Sequence, residues 1–424
     1  LTFNRKNVKF RIPLYYWLKG RFWKGNYLII LFTLLHVQGV KKGGYIIFSL
    51  EKLRHYFPVN EKEYSELKHT HKIQPFKSTP YYLSLIDHED RNDPIRRMVI
   101  PSVEELNDSG VSDTSGELEN TRIRGVQHKY PQTVLLLLTS SCYAHCRFCF
   151  RKRFVGVDDS EIIRDMKKCV EYLRNHREVT DLLITGGDVL TLDTRVLGVI
   201  IETLNAVPHI RLLRIGTRTP VVFPQRISED KKLLSILGAF KGKRRRVIIQ
   251  THFNHPREIT EDAVKSISAL LSRGIQVYNQ TVLLKGVNDD PGVLVSLLRD
   301  LVGTGVLPYY LFQCRPVSRA AHFQIPLVRG YQIVEKAKKK LSGPAKMFRY
   351  VMSHKSGKIE VIGLDEKKIY MKYHQAKLPA NRGRFFALDR CDSAKWIGDL
   401  VPLEESCDEE ARIISEQMHL PSLH

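Results

Sequence analysis

Residues 133–154 read TVLLLLTSSCYAHCRFCFRKRF. The stretch opens on an apolar, β-prone run, Val134–Thr139, of the length expected for a buried strand. It then turns polar and places Cys142, Cys146 and Cys149 within eight residues. Seven cysteines in 424 residues are too few for a disulfide scaffold, and three so close together point to metal chemistry in a reducing compartment. Structural zinc wants four ligands, and His145 could supply the fourth. A four-iron cluster is also held by thiolates, and three of them leave one iron open for a substrate or cofactor.

Working outward, five more apolar runs follow at Leu182–Thr185, Leu212–Gly216, Val247–Phe253, Val277–Leu284 and Tyr309–Cys314. Helical spacing fills the gaps, through Ile163, Met166, Val170 and Leu173, and through Ile259, Val264, Ile267 and Leu271. Thr260 suits a helix cap and Gly274 a stop. Six strands alternating with helices argue for parallel βαβ units in an incomplete barrel or an open doubly wound sheet. Either architecture works at the carboxyl ends of its strands. Cys142, Gly186-Gly187-Asp188, Thr217-Arg218-Thr219, His252, Gln280 and Arg315 fall at or near those ends, which predicts one shared pocket.

The flanks divide the chain. Residues 1–59 form a basic segment of doubtful status, and the first fifty hold nine of the lysines and arginines with no acid. The chain begins with Leu1 and its first methionine is Met98, so the start reads as non-standard or as a frame extended beyond the true one. The apolar segment Tyr27–Val37 is well short of the ~20 residues a membrane span needs. Residues 60–127 read as a helical and loop preface, with a polar, acidic loop from Asn107 to Asn120. The barrel takes 128–325. In 326–424 a helix, Pro326–Leu341, precedes short strands at Phe348–Met352, Lys358–Ile362 and Ile369–Tyr373. The formal net charge of +22 reads as a solvated basic surface plus a basic tail, since no nucleic-acid motif accompanies it. The chain reads as cytoplasmic and not membrane-bound.

CYAHCRFC (142–149) resembles the cluster motif of the radical S-adenosylmethionine (SAM) superfamily. STPYYLSLIDHEDRNDPIRRMVIPS (78–102), LLITGGDVL (182–190), RIGTRTPVVFPQRI (214–227), THFNHPREIT (251–260) and NQTVLLKGVND (279–289) resemble the lysine 2,3-aminomutase family. The resemblance implies a partial (β/α)6 TIM-type barrel and an isomerase. Such an enzyme moves an amino group from Cα to Cβ of an amino acid, through a 5′-deoxyadenosyl radical and an aldimine of pyridoxal phosphate (PLP). It implies a [4Fe-4S] cluster, SAM and PLP, and an electron donor such as flavodoxin or ferredoxin. It leaves open a homo-oligomer.

By the match, Cys142, Cys146 and Cys149 hold the cluster, and Phe148 lies near the adenine. Gly186, Gly187 and Asp188 orient the methionyl amino group, while His252 and Gln280 contact SAM. Arg151 clamps the substrate carboxylate; in the run Arg151-Lys152-Arg153, Lys152 reads as a solvated base. Lys358 is the PLP lysine, with Lys355 a neighbour able to lower its pKa. Lys129, Tyr130 and Thr133 stand where the family has its phosphate-binding arginine, tyrosine and second arginine. Other departures concern metal and substrate. Asp290 occupies a position where the lysine enzyme has a zinc-binding cysteine, which predicts no structural zinc. Of the two aspartates that hold a lysine side chain, one is replaced by Arg315 and the other has no carboxylate counterpart from Tyr350 to Lys358. An ammonium would meet repulsion there, so an acidic amino acid such as glutamate is expected. The alternative is a PLP-independent radical SAM enzyme acting on another small molecule or a macromolecule.

Overall fold

The computed structural model describes residues 50–54, 59–240 and 242–400. The basic stretch 1–49 and the apolar segment Tyr27–Val37 lie outside the described residues. Among the described residues twelve strands form one sheet in chain order. They are β1 (Thr121–Ile123), β2 (Val126–Tyr130), β3 (Thr133–Thr139), β4 (Asp181–Gly186), β5 (Leu212–Gly216), β6 (Arg246–Thr251), β7 (Gln276–Leu283), β8 (Leu307–Gln313), β9 (Arg349–His354), β10 (Gly357–Leu364), β11 (Lys368–Ala376) and β12 (Phe385–Asp389).

β3 to β8 are the six strands expected, and each neighbouring pair runs parallel. Their crossovers contain the helices Met166–Asn175, Thr194–Asn205, Lys231–Leu237, Glu261–Leu271 and Pro291–Gly303. Apolar faces explain the arrangement. Met166, Cys169, Val170 and Leu173 are the buried positions of the first helix, at i, i+3, i+4 and i+7. Thr260 caps its helix by accepting from the Ala263 N–H, and Gly274 takes φ +72° after it. Ile163 does not belong to the first helix. Its backbone N–H instead bonds the Leu137 carbonyl, pinning the loop before Met166 onto β3.

Two features depart from the expected outline. The polar stretch before β3 is not all helix and loop, because β1 and β2 pair antiparallel with one another and β2 with β3. At the other end β9 pairs parallel with β8, reached through the helix Leu327–Lys338. The first strand expected in the C-terminal extension therefore extends the barrel sheet to seven parallel strands, and β10, β11 and β12 continue it antiparallel. The apolar core follows this division. One cluster packs barrel helices against the parallel strands, and a second joins Leu294, Leu298 and Val334 to Tyr350, Ile359 and Met371 of the last strands. Among the described residues no helix is long and apolar enough to cross a membrane.

Candidate active site

The carboxyl end of β3 leads into the cysteine loop, and the next strand holds that loop down. Gly186 sits at φ +137°, and a Cβ there would overlap the Thr139 carbonyl oxygen; one at Gly187 would overlap that of Ser141. These are close backbone approaches that only glycine allows. They let the Gly187 N–H bond Thr139 O at 2.6 Å and the Asp188 N–H bond Ser141 O at 2.7 Å. The preface fixes the other side. The Arg147 N–H bonds Met98 O at 2.9 Å, and the buried Arg147 guanidinium makes a two-pronged pair with Glu105 at 2.7 Å to each oxygen.

Cys142, Cys146 and Cys149 then line a cavity of about 360 Å³. Burial pushes the Cys149 thiol up to about 11, and Cys142 well above its ordinary value. Among the described residues no three His, Cys, Asp or Glu side chains converge on a single point as one metal ion requires. His145 does not face this cavity; its Nδ1 bonds Pro75 O and its ring lies against Gly156. The zinc alternative therefore loses its fourth ligand. A four-iron cube spreads its thiolates over separate iron atoms, and three cysteines that line one cavity without meeting at a single point suit it.

In the same cavity, His252 gives its Nδ1–H to the Gln280 carbonyl at 2.5 Å. Burial, then the Arg218 charge, pulls His252 down to about 4, so Nε2 is an acceptor at neutral pH. The Phe148 ring lies 5.6 Å from it. Asp188 accepts from Thr217 Oγ1 at 2.6 Å and from the Arg218 N–H at 2.8 Å, joining the turn after β4 to the end of β5.

Lys358, at the second position of β10, lines the same cavity. Its Nζ donates to Gln375 Oε1 at 2.9 Å and lies 5.3 Å from the Tyr130 ring and 5.1 Å from that of Tyr310. Burial lowers its pKa from 10.5 to about 7, helped by the positive charges of Arg214, Lys129 and Arg315. Lys355, expected as that neighbour, is exposed and sits beside Gly116 and Glu119 instead. Every residue singled out from the sequence for cluster, SAM, PLP or substrate lines this one cavity.

Comparison with known proteins places the chain in a family. The model of the Radical SAM superfamily matches residues 136–298. A protein of Aquifex aeolicus (strain VF5), provisionally named L-lysine 2,3-aminomutase, is 42% identical over 346 residues, which are 81% of this chain and 92% of that protein. L-lysine 2,3-aminomutase of Clostridium subterminale is 40% identical over 70% of this chain and 71% of its own length. The chain belongs to the lysine 2,3-aminomutase family. Within that family, glutamate 2,3-aminomutase of Clostridioides difficile (strain 630) is 35% identical over 70% of this chain and 70% of its own length.

Against the family pattern the cations of this aminomutase-family pocket divide in two. Arg151, expected to clamp a substrate carboxylate, lines the cavity and pairs with Glu117: Nε and Nη2 reach that carboxylate at 3.0 and 2.7 Å, while Nη1 bonds Thr185 and the Gly186 carbonyl. Lys152 is not a solvated base. It is buried, beside Glu105 at 3.5 Å and the Arg319 carbonyl at 3.0 Å. Arg153 shares Glu117 and also pairs with Glu161. The two arginines hold Glu117 down to about 2 against the upward push of burial. Arg315 makes no ion pair among the described residues. It lies over the Phe150 ring at 3.9 Å and donates one hydrogen bond, to Ser115 Oγ. Burial brings it down to about 10, which leaves it charged at neutral pH. Lys129, lowered to about 7 chiefly by burial, donates to Ser115 O at 3.0 Å and His354 O at 2.6 Å. Thr133 lies 3.4 Å from Asp181, and Asp290 caps the helix Pro291–Gly303.

Glu117, Ser115, Gln375 and the Arg214–Asp181 pair were not anticipated. Glu117 and Ser115 come from the acidic loop before β1. The signal that could have located them is the run Arg151-Lys152-Arg153 itself, which must find carboxylates once it is buried.

Proposed function

We propose that this chain is a 2,3-aminomutase whose substrate carries an acidic side chain, such as glutamate. The observation that carries the reading is that the three cysteines, the lowered amine of Lys358 and the cation Arg315 share one cavity. In this reading Cys142, Cys146 and Cys149 hold the cluster, and the turn Gly186–Asp188, His252, Gln280 and Phe148 form the SAM side. When bound, the cluster with SAM supplies the radical that removes a hydrogen atom, and PLP supplies the carbonyl that carries the amino group from Cα to Cβ.

The protein's part is position and protonation. Lys358, near half-neutral at pH 7, is able to attack a carbonyl carbon, which a protonated lysine cannot do. The Tyr130 and Tyr310 rings flank its Nζ and limit its swing. Lys129, lowered to about 7, would be held in its charged form by a phosphate dianion beside it, and then offers a point charge in place of an arginine fork. Arg151 is the positioning partner of Glu117 and holds the strap that carries Ser115. Arg315, held over the Phe150 ring, presents N–H groups for a carboxylate. Residues 128–325 thus supply cluster and SAM contacts, and 326–424 the lysine. An external low-potential donor of the flavodoxin or ferredoxin class delivers the electron.

The test is an anaerobic amino-acid panel with reconstituted protein, SAM, PLP and dithionite, scored for β-amino acids. Glutamate or aspartate is expected to turn over and lysine to lag far behind. Efficient turnover of lysine alone overturns the acidic substrate. Absence of 5′-deoxyadenosine in every arm overturns the whole reading.

A further inference from the structure

The site as described leaves the guanidinium of Arg218, at the end of β5, without a task. It is buried, and its Nη1 lies 2.8 Å from Sγ of Cys146. On the other side Nη2 donates to Tyr82 Oη and to Glu258 Oε1, each at 2.6 Å. Tyr82 donates to that same carboxylate oxygen at 2.7 Å. The second oxygen of Glu258 accepts backbone N–H groups of Asn254 at 2.6 Å and His255 at 3.1 Å. Glu258 has no exposed surface. Residues from the preface, from the end of β5 and from the loop after β6 therefore meet at one sulfur. The guanidinium also sits over the Tyr82 ring at 4.9 Å, so it cannot turn away without breaking a buried ion pair.

We propose that Arg218 is a positioning residue that sets the reduction potential of the cluster, by giving a charge-assisted hydrogen bond to the Cys146 thiolate. Hydrogen bonds to the sulfurs and local charge are recognised levers on such potentials. Reduction moves one electron from an external reductant onto the cluster, and nothing else is transferred. The reduced cluster carries one more negative charge than the oxidised one, so a fixed cation on a ligand sulfur favours it. The Glu258 carboxylate and the Tyr82 hydroxyl hold the guanidinium in that position. The inference rests on the reading that the three cysteines hold the cluster.

The test compares wild type, R218K, R218Q and the double variant R218M/E258Q, each reconstituted anaerobically. Iron and sulfide are counted, and the one-electron potential is read by dithionite-poised titration with EPR of the reduced cluster, without SAM. R218Q is expected to lower the equilibrium constant for reduction about tenfold, about 59 mV for one electron. R218M/E258Q, which removes both buried charges together, guards against a folding failure caused by an orphaned Glu258. It is expected to fall in the same direction, and R218K to stay nearer wild type. A potential unchanged in R218Q or in the double variant, at equal iron and sulfide, overturns the inference. So does loss of the cluster in all three variants, which would make Arg218 a structural residue only. Wild type that assembles no iron at all overturns the cluster reading instead, so the two failures are distinguishable.

Discussion

The amine of Lys358 should react as a free base near neutral pH, and Arg214 should be one reason. An ordinary lysine, with pKa ≈ 10.4, is neutral in about one molecule in 2,500 at pH 7. With its pKa at about 7, Lys358 is neutral in about half. Arg214 is the first of the charges acting on it after burial, and it pairs with Asp181 at 2.7 Å. Arg214→Gln removes a positive neighbour and leaves Asp181 uncompensated. With the Asp181 charge still in place and the Arg214 charge gone, the charged lysine is favoured and the pKa rises. Unit charges about 10 Å apart at an effective dielectric near 20 interact by about 1.7 kcal/mol, which is a little over one pH unit. The assay is limited modification by dinitrofluorobenzene from pH 6 to 10, with the Lys358 peptide followed by mass spectrometry and surface lysines as controls. Half-maximal reactivity is expected at about 7 in wild type and about one unit higher in the variant. A wild-type midpoint in the range of the surface lysines, or a variant midpoint that stays put or falls, refutes the reasoning.

Arg315→Gln removes the cation expected to hold the acidic side chain. A hydrogen bond to a charged group contributes about 1.5–3 kcal/mol, so kcat/KM for an acidic substrate should fall roughly 10- to 150-fold; unchanged kinetics would count against Arg315 as the anchor. Gly186→Ala forces a side chain into the Thr139 carbonyl at φ +137°, with a strain of about 1–3 kcal/mol or more. A lower melting temperature and reduced iron loading are expected, and wild-type behaviour in both would sink that account. Glu117→Gln breaks a buried ion pair, at a cost of about 3–5 kcal/mol near neutral pH. Because the folded-state pKa of Glu117 is depressed to about 2, its contribution is present above the ordinary carboxylate value of 4.5 and is lost as pH falls between the two. Urea melts should therefore show the gap between variant and wild type closing over that interval, and a gap independent of pH would contradict the pairing.

The parallel strands were legible because strands covered on both faces are written as short apolar runs, and β5 falls on the same residues in sequence and structure. The hairpin of β1 and β2 was not, since TRIRGVQHKY has no apolar alternation and pairs by backbone. β9 was visible as a strand but not as a neighbour of β8, because an apolar run does not state its partner. Ile163 kept helical spacing while serving a loop contact. In the site, cysteines and glycines announce themselves by spacing. Glu117 does not: it lies in a loop whose composition reads as solvated, and its burial is imposed by arginines more than thirty residues later. Arg151 and Lys152 show the converse, being residues whose partners decide whether they face a ligand or the protein.

Since β9 hydrogen-bonds β8 edge to edge, the reactive amine on β10 and the cysteine loop after β3 belong to a single ribbon without a seam. No cassette boundary falls between the two chemistries. Grafting the lysine-bearing end of a relative onto this barrel would have to rebuild the β8–β9 ladder and the Tyr350–Gln313 hydrogen bond at 2.5 Å. A changed diet for such an enzyme is therefore more readily reached by single replacements on the rim, as at position 315, than by exchanging modules.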